Sequence, residues 1–258
     1  MPDNATSFFW YELLTSDIDA AETFYTKVVG WTAEAFETAN GMPRYTVVKA
    51  GERGVGGLMA MPDEAARMGM TPAWVGYIHT RDVDAATQGI VQAGGSVRRE
   101  PADIPDVGRF AVVADPQGAL FMLLQPNGED QPPAPMTTPG HVGWHELYAA
   151  DREKAFDFYA GQFGWTQHRD VDMGVMGIYQ IFAVDGEPTG GIMNKPPHLP
   201  VPAWQFYFNV EAIDAAAGRV TDGGGTVTVE PVEVPGGSWI IQCQDPQGAH
   251  FALVAPKR

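Results

Sequence analysis

Cysteine is nearly missing: Cys243 stands alone among 258 residues. This excludes an internal disulfide and a thiolate metal cluster, and it suits a reducing compartment. Positive charge is also scarce, with 16 Lys and Arg against 32 Asp and Glu and a net charge of −16. A nucleic-acid partner needs a basic stripe, so that class is set aside. The acidic excess serves solubility and would attract a cationic ligand. No run approaches the roughly 18 consecutive apolar residues of a membrane span, so no membrane partner is expected. Met1-Pro2-Asp3-Asn4-Ala5 has neither a basic region nor an apolar core, so a secretory signal is not expected and the cytoplasm is the expected location. What is present is ordinary for a globular protein: 45% apolar and 19% charged residues.

The chain repeats itself. Trp10-Tyr11-Glu12-Leu13 returns as Trp144-His145-Glu146-Leu147, and Phe24-Tyr25 with Gly30-Trp31 returns as Phe158-Tyr159 with Gly164-Trp165. Gly56-Gly57-Leu58-Met59 returns as Gly190-Gly191-Ile192-Met193, and Asp115-Pro116-Gln117-Gly118-Ala119 returns unchanged as Asp245-Pro246-Gln247-Gly248-Ala249. A duplication is implied, with domains over 1–127 and 141–258. The proline-rich, polar stretch 128–140 reads as the linker between them.

Each half divides again. Phe8–Leu14 reads as a strand, Thr15-Ser16-Asp17 as a helix cap, and Ile18–Val29 as a helix stopped by Gly30. Strands follow at Tyr45–Lys49 and Val55–Met61. The pattern restarts with a strand at Trp74–Thr80, a helix at Val83–Gln92, and strands near Ser96–Glu100, Arg109–Ala114 and Ala119–Gln125. The second half echoes it through Trp204–Val210, Ala212–Val220, Thr226–Glu230, Trp239–Gln244 and Ala249–Val254. The fold class is α+β: four βαβββ units in tandem, paired into two cups with helices outside.

The signature Asp-x-x-x-Ala-x-x-Phe-Tyr-x-x-x-x-Gly-Trp, the Val83-Asp84-Ala85-Ala86 segment and the Asp-Pro-Gln-Gly-Ala turn resemble the vicinal-oxygen-chelate (VOC) superfamily. This group contains glyoxalase I, bleomycin-resistance proteins and extradiol dioxygenases. The stretch Glu100-Pro101-Ala102-Asp103-Ile104-Pro105 with Gly108-Arg109-Phe110 is similar to its double-domain, glyoxalase-like or hydroxylase-like branch. In metal-using members, the resemblance implies His, Gln or Glu ligands on the first and last strands of the units. Here those points hold Trp10, Val75 and Met122 in one half, and Trp144, Gln205 and Ala252 in the other. Only Gln205 could bind a metal, so the usual ligand set is absent by register and no cofactor is expected. Glu146, Gln205 and His250 remain as an alternative, non-standard divalent-metal site.

Strand side chains alternate between faces. With Leu13 and Leu147 under the helices, Trp10, Glu12 and Leu14 face one cup, as Trp144, Glu146 and Tyr148 face the other. Val75, Tyr77 and His79, and Gln205, Tyr207 and Asn209, take the same parity. Each cup is then expected to hold a carboxylate beside a phenol, Glu12 with Tyr77 and Glu146 with Tyr207. A carboxylate among aromatics can serve as an acid or base. Trp10, Trp144, Tyr45 and Tyr179 are expected to line the cups, where aromatic walls stack on flat ligands. His145 is expected to be packed on the far face, His141 to face solvent and Cys243 to be inert.

Two functions stay open. One is a metal-free protein that binds a small aromatic or carbonyl metabolite or drug through Trp10, Glu12, Tyr77, His79, Trp144, Gln205 and Tyr179. The other is an enzyme, a glyoxalase-like lyase or a relative of dioxygenases and hydroxylases, with Glu146 as acid/base assisted by His250 and Tyr207. A small molecule is the only partner expected, and either a monomer or a homodimer is compatible.

Overall fold

The computed structural model describes residues 6–37, 43–67, 69–128 and 134–258. The expected linker, 128–140, therefore lies partly outside the described residues. The first repeat runs β1 (Phe8–Thr15), α1 (Ile18–Val29), β2 (Thr32–Phe36), β3 (Tyr45–Ala50) and β4 (Arg53–Ala60), followed by a short helix α2 (Asp63–Arg67). The second runs β5 (Ala73–His79), α3 (Val83–Gln92), β6 (Ser96–Ile104), β7 (Gly108–Ala114) and β8 (Leu120–Pro126). The third runs β9 (Val142–Ala149), α4 (Arg152–Phe163), β10 (Thr166–Asp172), β11 (Ile178–Val184) and β12 (Glu187–Asn194). The fourth runs β13 (Ala203–Asn209), α5 (Ile213–Asp222), β14 (Thr226–Glu233), β15 (Trp239–Gln244) and β16 (His250–Ala255). Two eight-stranded sheets result, in the orders β2-β3-β4-β1-β5-β8-β7-β6 and β10-β11-β12-β9-β13-β16-β15-β14. The α+β class and the four βαβββ repeats are therefore observed.

Local chemistry explains the helix limits. Asp17 and Asp151 sit in extended backbone and accept from the amides of Ala20 and Lys154, satisfying donors that the first helical turn leaves unpaired. Gly30 (φ 89°) and Gly164 (φ 73°) take the left-handed conformation that ends α1 and α4. Both α1 and α3 match their expected limits. Each βαβββ unit calls for three strands after its helix, and β2 and β10 are strands whose place the sequence pattern does not mark. They are edge strands, largely exposed, so they lack the buried alternation that marks a strand in sequence.

The chain forms two compact units, and each draws on both halves of the duplication. One comprises Met1–Phe9, Gly76–Pro133 and His145–Trp204; the other comprises Trp10–Val75, Ala134–Trp144 and Gln205–Arg258. Each has an aromatic core on the helix-bearing faces of its strands. In the unit containing α1, Tyr25 lies 5.2 Å from Trp74 and 5.3 Å from Phe251, and Trp74 lies 5.0 Å from Phe208. In the unit containing α4, Trp165 stacks on Tyr159 at 5.0 Å and on Phe182 at 4.3 Å, while Trp204 meets Tyr159 edge-on at 5.2 Å. All these rings are buried.

Candidate functional site

The first strand of each half sets the faces. Leu13 and Leu147 are fully buried on the core side. Alternation then places Trp10 and Glu12, and likewise Trp144 and Glu146, on the opposite side. Strands β1 and β4 pair in parallel with Glu12 opposite Gly57, and β9 and β12 pair with Glu146 opposite Gly191. These two glycines explain the repeated Gly-Gly pairs. The Tyr45 ring occupies the space where a side chain at 57 would stand, and the Tyr179 ring does the same over Gly191. Gly54 likewise leaves room for Trp10, whose ring would lie 3.2 Å from a Cβ there.

In the first repeat this seating builds a hydrogen-bonded triad. The Trp10 indole N–H donates to Tyr45 Oη at 3.0 Å, and the Tyr45 hydroxyl is hydrogen-bonded to the Glu12 carboxylate. Burial holds the Tyr45 pKa well above its ordinary value, and the Glu12 charge adds to this, while the Trp10 bond works against it. Tyr45 is therefore a neutral phenol that donates towards a carboxylate. Glu12 and Glu146 are both buried, at 5% and 7% exposure. Tyr45 was anticipated as a lining residue but not as the phenol bonded to Glu12. The usable signal was the glycine pair, because a missing side chain on one strand leaves room for a ring from the next.

The second and fourth repeats supply the remaining expected residues. Tyr77 pairs opposite Met122, and His79 opposite Leu124, where its ring meets Phe9 edge-on at 5.6 Å. In the fourth repeat, Tyr207 and Gln242 both lie opposite Ala252, and the Gln242 amide donates to Tyr207 Oη at 3.0 Å. Gln205 is half-buried on the same strand parity as Tyr207. His250, the first residue of β16, is exposed and pairs opposite Gln244. Asn209 ends β13 as a clasp, its amide donating to the carbonyls of Met136, Thr138 and His141.

His145 is packed on the core side as expected, stacked on Phe8 with centroids 5.1 Å apart. His141 is half-buried rather than solvent-facing, and burial lowers its pKa. Cys243 is fully buried, and burial pushes its thiol up to about 12, which keeps it from acting as a thiolate. Among the described residues, no group of three or more His, Cys, Asp or Glu side chains is placed to hold a metal ion. Nor, among them, is any helix long and apolar enough to cross a membrane.

Comparison with known proteins bears on this arrangement. The family model described as Glyoxalase/Bleomycin resistance protein/Dioxygenase superfamily matches twice, over residues 7–123 and 138–253. The chain is 33% identical over 248 residues to "Putative glyoxylase CFP32" of Mycobacterium bovis, covering 96% of this chain and 94% of that protein. It is 31% identical over 257 residues to "Anthracycline biosynthesis protein DauV" of a Streptomyces species, covering 95% and 91%. Among solved structures, it is similar in fold to a Mn(II)-bound glyoxalase from Novosphingobium aromaticivorans. That match has a TM-score of 0.64 and 18% identity, and covers 98% of this chain and 83% of that one.

Proposed function

The chain belongs to the glyoxalase/bleomycin resistance protein/dioxygenase superfamily, and on that premise we propose that it binds a small, flat aromatic or carbonyl-bearing metabolite or drug. Each half, 1–127 and 141–258, would supply one binding domain. The observation that carries this reading is the triad of Trp10, Tyr45 and Glu12 seated on Gly57. Its third-repeat counterpart carries Glu146 and Tyr179 on Gly191. An indole and a phenol offer π faces to a flat ring, and the buried carboxylate offers an acceptor. The likeness to an anthracycline biosynthesis protein fits a polycyclic ligand, and the net charge of −16 favours one that carries an amine. Metal plays no part in this reading.

Calorimetric titration with daunorubicin, a cationic anthracycline, tests it. Saturable binding is expected, and Trp10→Ala or Trp144→Ala should weaken it by about 1–3 kcal/mol through loss of a stacked ring. Binding that is unchanged in both variants overturns the reading.

A second reading is favoured by the burial of Glu146 and by the likeness to a putative glyoxylase. In it, Glu146 moves a proton at the ligand. Glu146→Gln would then abolish turnover of an active substrate while leaving its affinity nearly intact. Parent-like turnover in that variant removes Glu146 from the chemistry.

A further inference from the structure

The second and fourth repeats share a fold but not a surface chemistry. Taking the Asp-Pro-Gln-Gly-Ala turns as the reference, position 75 corresponds to 205, 77 to 207, 112 to 242, 114 to 244, 120 to 250 and 122 to 252. The tyrosine is kept, as Tyr77 and Tyr207. Around it, Val75 becomes Gln205, Val112 becomes Gln242, Ala114 becomes Gln244 and Leu120 becomes His250. Strand pairing puts these changes on one face of the fourth repeat. Gln242 and Tyr207 flank Ala252, Gln244 lies opposite His250, and Gln205 shares the parity of Tyr207. The opposite face, with Trp204, Phe206, Phe208 and Cys243, is buried core. Surface drift would scatter polar substitutions over loops. On the strands, the changes from an aliphatic to an amide or imidazole side chain all fall on one side of β13, β15 and β16, and Gln205, Gln242 and Gln244 are each half-buried.

From this asymmetry we propose that the β13–β16–β15 face is a specificity-determining surface for ligands rich in carbonyl and hydroxyl groups. The corresponding face of the second repeat takes apolar ring surface instead. The proposal rests on the small-molecule binding reading and extends it by assigning a chemical class to one face. Half-buried amides lose their water when a ligand settles on them, so an oxygen-bearing ligand that replaces those hydrogen bonds is retained. A hydrocarbon that cannot replace them is rejected. Gln242 is already oriented by its bond to Tyr207, which reduces the ordering cost on binding.

The test uses two cationic probes with one three-ring frame: an aminoalkyl-substituted dihydroxyanthraquinone, and the aminoalkyl-substituted anthracene that lacks its oxygens. Affinities are measured by calorimetry for the parent and for Gln205→Val/Gln242→Val, which installs the residues the second repeat carries at these points. Because valine is native at the equivalent sites, the fold is expected to persist, as checked by the melting temperature. Gln205→Val alone serves if the double variant does not fold. The parent is expected to prefer the oxygenated probe, and the variant to lose about tenfold or more in affinity for it while holding the anthracene within about twofold. Equal losses for both probes, or no loss for either, overturn the assignment of this face but leave the binding reading intact. Failure of the parent to bind either probe overturns the binding reading, and this inference falls with it.

Discussion

His145 is a histidine that the fold keeps neutral. Its Nδ1–H donates to the Thr189 carbonyl at 3.0 Å, which fixes the tautomer, and its ring lies against Phe8. Burial lowers its pKa from 6.5 to about 4, against the Thr189 bond, which favours the charged ring. A depressed value means that the contribution to stability is complete above pH 6.5 and is lost as pH falls through about 4. That shift is worth about 3 kcal/mol at full protonation. The buried Asp115 and Asp245 act with the opposite sign. Burial raises both pKa values, so their contribution is complete below 3.8 and is lost as pH rises through the raised values. His145→Phe keeps a ring on Phe8 and cannot bind a proton. Its denaturation midpoint should therefore fall less than the parent's between pH 7 and pH 4.5. An equal fall in both proteins would clear His145 of the acid sensitivity.

At the scale of elements, the Asp-Pro-Gln-Gly-Ala turns do more than reverse the chain. Asp245 Oδ1 accepts from the amides of Gln247 and Ala249 at 2.9 and 2.8 Å, closing the turn between β15 and β16. Its Oδ2 accepts from the Tyr25 hydroxyl of α1 at 3.0 Å, and Tyr25 Oη in turn accepts from the Trp74 indole N–H at 2.9 Å. The other unit repeats the chain of bonds with Asp115, Tyr159 and Trp204, at 3.2 and 3.0 Å. Each net pins a helix to a turn from a different repeat. Tyr25→Phe strips a buried carboxylate and a buried indole of one partner each, so a loss of about 2–4 kcal/mol is expected, and the same for Tyr159→Phe. Urea unfolding reads this directly. A change under about 0.5 kcal/mol in both variants would show that these bonds add nothing to packing. The turn motif was legible in sequence, and so was the repetition of the two tyrosines. Their pairing was not, because Tyr25 and Asp245 are 220 residues apart and no local periodicity links them.

At the scale of the molecule, the duplication and the compact units cut the chain differently. Residues 1–127 contain Tyr25 without Asp245, and Asp115 without Tyr159. A fragment 1–127 therefore lacks the partners that complete each buried net. A second copy can supply them, because the halves are homologous. The fragment is expected to elute as a dimer in size-exclusion chromatography and to melt at a temperature that rises with concentration. A monomer with the melting temperature of the full chain would show that each half is self-sufficient.

The duplication, the four βαβββ units, the limits of α1 and α3 and the core side of the first strands are all set by local pattern in the chain. Each of these rests on local information: alternation along a strand, a helical stripe, an aspartate cap or a glycine stop. Tertiary structure alone decided the bonding of Glu12 to Tyr45, the seating of rings on Gly57 and Gly191, the exposed edge strands β2 and β10, and the assembly of each compact unit from both halves. These depend on which distant segments meet. Two homologous halves offer equivalent partners, so the local pattern cannot choose between them, and only the packing of the whole chain selects one.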